Sequence, residues 1–174
     1  MKVLAFAASS SKNSINKQLA TYAAHLIDNA EIEVIDINDY EIPIFSEDKE
    51  KELGQPQEAK NFYQKITGAD LVIISYAEHN GSYTAAFKNL FDWTSRIQMK
   101  VYQNKNMVFL STSPGPGGAK NVLNVALNSA PHFAANIVGS LSVPSFYDNF
   151  DSTTQQLSNT ALDKELKSIM AKVK

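Results

Sequence analysis

The sequence predicts an α/β fold in which helices cover both faces of a parallel sheet. Three observations predict it. Short runs of continuous apolar residues recur along the chain. Segments with helical spacing fall between them. Three of the strand-like runs are apolar throughout, whereas two are mixed. A strand that is apolar on both sides belongs in the middle of a parallel sheet, and a mixed one suits an edge.

The first run, Val3 to Ala8, is apolar on both faces. Lys2 before it could pass as the start of a secretory leader, but the polar stretch Ser9 to Ser14 follows too soon, so a buried first strand is expected. Leu19, Tyr22, Ala23, Leu26 and Ile27 then recur at helical steps. Residues 31–37 begin with polar–apolar alternation, as a half-exposed edge strand does. Residues 38–54 carry no clear periodicity. Two readings stand for them: a functional or mobile loop, or a surface loop pinned by Ile42, Ile44 and Phe45. Pro56 is placed to open a helix. Leu71 to Ile74 forms the third strand, and Phe87, Leu90, Phe91 and Ile97 mark the helix after it. Met107 to Leu110 is the fourth strand. Residues 137–143 are mixed and form the fifth, and Leu162, Leu166, Ile169 and Val173 mark a last helix.

The order is β-α repeated, which calls for right-handed crossovers in a parallel sheet. With strands one, three and four central and strands two and five peripheral, the order 2-1-3-4-5 follows. That is a flavodoxin-like three-layer sandwich with a five-stranded parallel sheet. Its length of 174 residues suits a single domain spanning 1–174.

Composition removes several function classes. The net charge is −2 with no basic block, so no nucleic-acid partner is expected. There is no cysteine, which excludes disulfides, zinc–thiolate sites and iron–sulfur clusters. No apolar run approaches the roughly 20 residues that span a bilayer. No membrane partner is expected, and the protein is expected to be cytoplasmic.

In such a sheet ligands bind beyond the carboxyl ends of the strands, where strand order reverses. Three polar loops collect there. The first is Ala8-Ser9-Ser10-Ser11-Lys12-Asn13-Ser14-Ile15-Asn16, whose hydroxyls, amides and helix N-terminus suit a phosphate. Alternatively, Ser14 only caps the helix. Neither a P-loop nor a Gly-x-Gly-x-x-Gly pattern is present. The second is Tyr76-Ala77-Glu78-His79-Asn80-Gly81-Ser82-Tyr83, with a tight turn at Asn80-Gly81. Its backbone amides could bond a flat heteroaromatic ring against which His79 packs. The other reading leaves His79 on the surface, and no nucleophile stands beside Glu78 and His79 for acid/base chemistry. The third, Ser111-Thr112-Ser113-Pro114-Gly115-Pro116-Gly117-Gly118, is irregular and lets the backbone approach a ligand closely. It reads equally as a plain connection.

These loops, in this order, resemble the NADPH-dependent FMN reductase family, which includes azo-, quinone- and chromate-reducing members. The family's first loop reads Gly-Ser-x-Arg-x-x-Ser-x-Asn before a helix starting near Leu-Ala, as at Leu19-Ala20 here. Its second reads Pro-Glu-Tyr-Asn-Gly-Ser before a helix with Lys-Asn and Asp-Trp, matched by Lys88-Asn89 and Asp92-Trp93. The resemblance implies an FMN-containing oxidoreductase. It would pass hydride from NADPH or NADH to FMN and on to a small acceptor: a quinone, flavin, azo compound or metal oxyanion. It implies that Ser9, Ser11, Ser14, Ile15 and Asn16 hold the phosphate and ribityl end. Ala77, Glu78, His79, Asn80 and Gly81 would line the isoalloxazine, and Ser113, Pro114 and Gly115 would close its other edge. No side chain is implied as an acid or base, and no metal.

A homodimer or homotetramer is also implied, with Phe91, Trp93 and Arg96 as contact candidates, although Trp93 reads equally as a core residue. Ser11 stands where the family often has arginine. Lys12 substitutes less rigidly, so weaker FMN binding is expected. Ala77 and His79 replace proline and tyrosine, which relaxes the turn and changes the packing of the ring. The alternative reading is a flavodoxin-type FMN electron carrier without NAD(P)H turnover, although its Thr-rich phosphate loop is missing here. A flavin-free binding protein of the same fold is a third.

Overall fold

The computed structural model describes residues 1–173. β1 (Lys2–Ala8) leads into α1 (Ile15–Ala24). β2 (Glu31–Ile35) follows, then a 3-10 turn at Ile37–Tyr40, α2 (Glu47–Leu53) and α3 (Gln57–Gly68). β3 (Leu71–Tyr76), α4 (Ala85–Ile97), β4 (Asn106–Thr112) and α5 (Lys120–Ser129) come next. The chain ends with β5 (Asn136–Val143), α6 (Phe146–Asn149), the short strands β6 (Phe150–Asp151) and β7 (Gln156–Leu157), and α7 (Thr160–Met170).

The main sheet has the order β2-β1-β3-β4-β5, all parallel. The expected flavodoxin-like sandwich is therefore the observed one. All six residues of β3 are buried, and so are the last six of β1 and of β4. β2 and β5 are half-exposed along most of their length, as edges are. Side chains alternate between the two faces of each strand. Val3, Ala5, Ile73 and Leu110 therefore pack under α1 and α7, while Leu4, Phe6, Ile74 and Phe109 pack under α3, α4 and α5. Register slips between Met107 and Val108, so Val108 pairs with Gly139. Gly139 lets α7 come close: a Cβ there would sit 2.6 Å from Ile169.

Several boundaries differ from the sequence reading. α1 ends at Ala24, and Leu26 and Ile27 lie in a tighter turn whose amides bond three residues back. Pro56 is the residue before α3, not its first. Val173 lies beyond α7.

The segment 38–54, which has no legible periodicity, contains α2. None of its residues is buried. It is held by local charge pairs, Lys49–Glu52 and Lys51–Asp48, and by Arg96 of α4 bonding both oxygens of Glu50 at 3.0 Å. A helix without an apolar face leaves no hydrophobic period to read. Of the expected pins, Ile42 is buried and Phe45 packs edge-on to Trp93, but Ile44 is 82% exposed.

Candidate functional site

The ends of β1, β3 and β4 bring the three polar loops to one edge of the sheet. Each is shaped by local chemistry. In the first loop Ser14 caps α1, its Oγ accepting from the Lys17 amide at 3.2 Å. The Oγ of buried Ser9 accepts from the Ser11 amide at 3.2 Å. The Asn38 amide group holds the loop from outside by donating to the Ser10 carbonyl. Among the described residues, the backbone amides of residues 12 to 16 donate to no protein acceptor. They lie at the positive end of α1, whose first turn carries no acidic residue. Lys12 is exposed beside them and forms no ion pair among the described residues. Free amides at the start of a helix can cradle an anion such as a phosphate.

Asn16 behaves differently from its neighbours. Its side chain turns inward and is 3% exposed. Its Oδ1 accepts from Ser75 Oγ at 2.7 Å and from the Thr112 amide at 3.1 Å, and its Nδ2 donates to the Thr112 carbonyl at 3.2 Å. It ties α1 to the ends of β3 and β4, so only its backbone amide faces the cradle side. Ile15 is half-buried against the α1 face of the core.

In the second loop, His79 and Ser82 exchange backbone bonds of 3.0 and 3.1 Å. Between them Asn80 and Gly81 adopt φ of 52° and 79°, the paired left-handed conformations that an Asn-Gly turn favours. The amides of Asn80 and Gly81 donate to no backbone carbonyl among the described residues. His79 is exposed, and Ala77 and Glu78 are half-buried. The Glu78 carboxylate points to α5, where it accepts from the Val122 amide at 2.9 Å and from Asn121 Nδ2 at 3.3 Å.

The third loop is pinned from behind. The Ser113 and Gly115 carbonyls accept from the amides of Phe146 and Ser145 at 3.0 and 2.9 Å. The Gly118 carbonyl accepts from both Ser111 Oγ and Ser142 Oγ, at 2.7 and 2.8 Å. Pro114 is exposed at the rim.

Two carboxylates stand near this edge, and both are occupied. Asp36 pairs with Lys17 at 2.9 Å. Burial would raise its carboxyl, but the Asn38 amide and the Lys17 ammonium outweigh that and hold it below the usual carboxylate range. Glu78 faces the positive end of α5.

The sequence reading missed Thr84. It caps α4 through the Phe87 amide, and its Oγ1 donates to the Ala8 carbonyl at 3.1 Å, joining the second loop's helix to the end of β1. A threonine directly before Ala85-Ala86-Phe87 was the available signal. The structure also gives the Lys88-Asn89 and Asp92-Trp93 pairs local roles. Asn89 bonds the backbone of Ile42, Pro43 and Phe45, and Trp93 Nε1 donates to the Pro43 carbonyl at 2.7 Å. Lys88 pairs with Asp92 one turn on. Trp93 is fully buried and belongs to the core, not to a contact surface. Among the described residues no His, Asp or Glu cluster could hold a metal, and no helix is long and apolar enough to cross a membrane.

Comparison with known proteins identifies the family and supports the fold. The family model described as NADPH-dependent FMN reductase matches residues 1–148. An NADPH:quinone oxidoreductase of Arabidopsis thaliana is 32% identical over 70% of this chain, and the match spans 62% of its own length. A 2-hydroxy-1,4-benzoquinone reductase from a Burkholderia species is 32% identical over 68% of this chain and 63% of its own. Among solved structures, the flavoenzyme NAD(P)H:(acceptor) oxidoreductase of Paracoccus denitrificans superposes with a TM-score of 0.76. It covers 99% of this chain and 94% of its own at 22% identity, a likeness of fold.

Proposed function

Because the chain belongs to the NADPH-dependent FMN reductase family, we propose that it holds FMN on this sheet edge and uses NAD(P)H to reduce a small acceptor, of which a quinone is the leading class. The observation that carries the reading is the run of amides at residues 12 to 16 that have no acceptor among the described residues, on the same sheet edge as two loops that are themselves braced. The quinone class rests on the names of the Arabidopsis and Burkholderia relatives.

The chain's residues divide the work. The amides from Lys12 to Asn16, with the hydroxyls of Ser9, Ser11 and Ser14 close by, take the phosphate and ribityl end. Backbone groups of Ala77, Glu78, His79, Asn80 and Gly81 meet the ring, and Ser113, Pro114 and Gly115 border it. Bound FMN supplies the two-electron chemistry that no side chain can. The protein's share is to orient it and to set the hydrogen bonds around it. Ser11 offers no charge to the phosphate, so affinity rests on backbone donors, the α1 dipole and the less rigid charge of Lys12. The same reading makes the protein a cytoplasmic homodimer or homotetramer, which light scattering of the purified protein tests.

An anaerobic absorbance spectrum with added FMN, taken before and after NADPH and NADH, tests the function. A protein-bound flavin band that bleaches on either nucleotide, and returns on adding benzoquinone, is the expected result. Bound flavin that only dithionite reduces would make the protein an electron carrier. No binding of flavin would overturn the reading.

A further inference from the structure

We infer that Glu78 is a positioning residue that sets the spacing between the second and third loops, and does so by capping a helix that has no cap of its own. The inference rests on the FMN reading above for its functional consequence.

α5 begins in an unusual way. The residue before it, Ala119, has φ 59° and ψ 38°, a left-handed conformation, and no side chain that could accept a hydrogen bond. Gly118 before it is left-handed as well, at φ 59°. The first turn of α5 carries no acidic residue, and its leading residue is Lys120. An ordinary helix start satisfies one or two of its free amides with a neighbouring Ser, Thr, Asp or Asn. Here that acceptor comes from another loop, 44 residues earlier in the chain: Glu78 takes the Val122 amide at 2.9 Å and Asn121 Nδ2 at 3.3 Å.

The consequence is mechanical. Glu78 leaves the end of β3 immediately before the His79–Ser82 turn. The loop from Ser113 to Gly118 leaves the end of β4 and runs directly into α5. One carboxylate therefore ties the turn that meets the ring to the helix that anchors the opposite border. The third loop is fixed on its far side by Ser142, Ser145 and Phe146. Glu78 fixes it on the side of the second loop. Two backbone surfaces held at a set separation bind a flat ring without an ordering cost at the moment of binding. The carboxylate is directed at α5, so its part is geometric.

Reach and charge can be separated. In Glu78→Gln the side-chain carbonyl still accepts from Val122, and Asn121 can turn its amide to match. In Glu78→Asp the charge remains but the side chain is one methylene short. Three proteins plus Glu78→Ala are compared by FMN titration, by visible circular dichroism of the bound flavin, and by hydrogen exchange of the Val122 amide without FMN. Glu78→Gln should bind FMN within about threefold of the parent, with its dichroism and its Val122 protection retained. Glu78→Asp and Glu78→Ala should bind about tenfold or more weakly, with altered dichroism and Val122 exchange about tenfold faster. If Glu78→Ala does not fold, the Gln and Asp pair carries the test. An Asp variant equal to the parent beside a weakened Gln variant would assign a charge role and overturn the brace. Unchanged Val122 exchange in Glu78→Asp would overturn it as well. If the parent itself binds no FMN, the reductase reading fails. The exchange of Val122 still decides the brace.

Discussion

Replacing Asn16 by alanine removes a buried joint between α1, β3 and β4, and the cost can be worked from its bonds. The side chain makes three: 2.7 Å from Ser75 Oγ, 3.1 Å from the Thr112 amide and 3.2 Å to the Thr112 carbonyl. Each is worth about 1 kcal/mol net when both partners are otherwise satisfied. Asn16→Ala leaves Ser75 and Thr112 in place, at 0% and 1% exposure. Orphaned buried groups cost about 1–3 kcal/mol each. Allowing Ser75 to rotate toward another acceptor, the expected loss is about 3–5 kcal/mol. That is a large share of the roughly 5–15 kcal/mol that holds a domain together. Urea unfolding followed through the fluorescence of Trp93, the single tryptophan, measures it. With a slope of about 2 kcal/mol/M, the midpoint should fall by about 1.5–2.5 M. Ser75→Ala alone should cost about 1 kcal/mol, and the double variant should cost about 1 kcal/mol less than the sum, because the two share one bond. The loss is expected without any ligand, since the backbone amide of residue 16 survives. A loss below about 1 kcal/mol for Asn16→Ala, or strict additivity with Ser75→Ala, would refute the joint.

Further outcomes follow from other parts of the site. Ser11→Arg supplies the phosphate with a bidentate charged partner that Lys12 does not provide, and should tighten FMN binding about three- to tenfold by fluorescence titration; unchanged affinity would place residue 11 away from the phosphate. Gly118→Ala forces a Cβ to 2.4 Å from Ser142 Oγ and 3.1 Å from the Pro144 nitrogen at a φ of 59°, and should cost about 2–4 kcal/mol in denaturant unfolding. The acid limb of stability depends on Asp36 and Asp163. Burial raises both carboxyls, but Asn38 and Lys17 at Asp36, and Lys167 and Tyr22 at Asp163, lower them further than burial lifts them. A depressed folded value gives stability that is complete above the unfolded carboxylate value of about 4 and is lost as pH falls through the lower folded value. Melting temperature should therefore drop steeply below about pH 4, and Lys17→Ala should make that drop shallower; an identical acid limb in the variant would remove Asp36 from the account.

Much of the fold was legible because its signals are local. Apolar runs on both faces marked β1, β3 and β4 as central, and polar residues interrupting β2 and β5 marked them as edges. The left-handed pair at Asn80 and Gly81 follows from which residues tolerate positive φ, and the Ser14 cap from a hydroxyl placed before a helical stretch. Each depends on residues within a few positions of one another, so the sequence alone determined the sheet order, the turn and the edge where the loops gather. α2 escaped because a helix that buries none of its residues has no apolar stripe to reveal it. The β6–β7 hairpin escaped because each strand is only two residues long.

What a polar side chain does once it reaches that edge was decided elsewhere. Asn16 reads like its neighbours in the first loop, yet its partners lie 59 and 96 residues away and draw it inward. Glu78 reads as one of the ring-lining residues, but the helix it caps begins more than 40 residues later. Trp93 could have been surface or core until the Pro43 carbonyl supplied an acceptor for its ring nitrogen. Hydrogen bonds need atoms within about 3 Å of each other. Local sequence fixes where the donors are carried, while only the closed tertiary structure fixes which acceptors they meet.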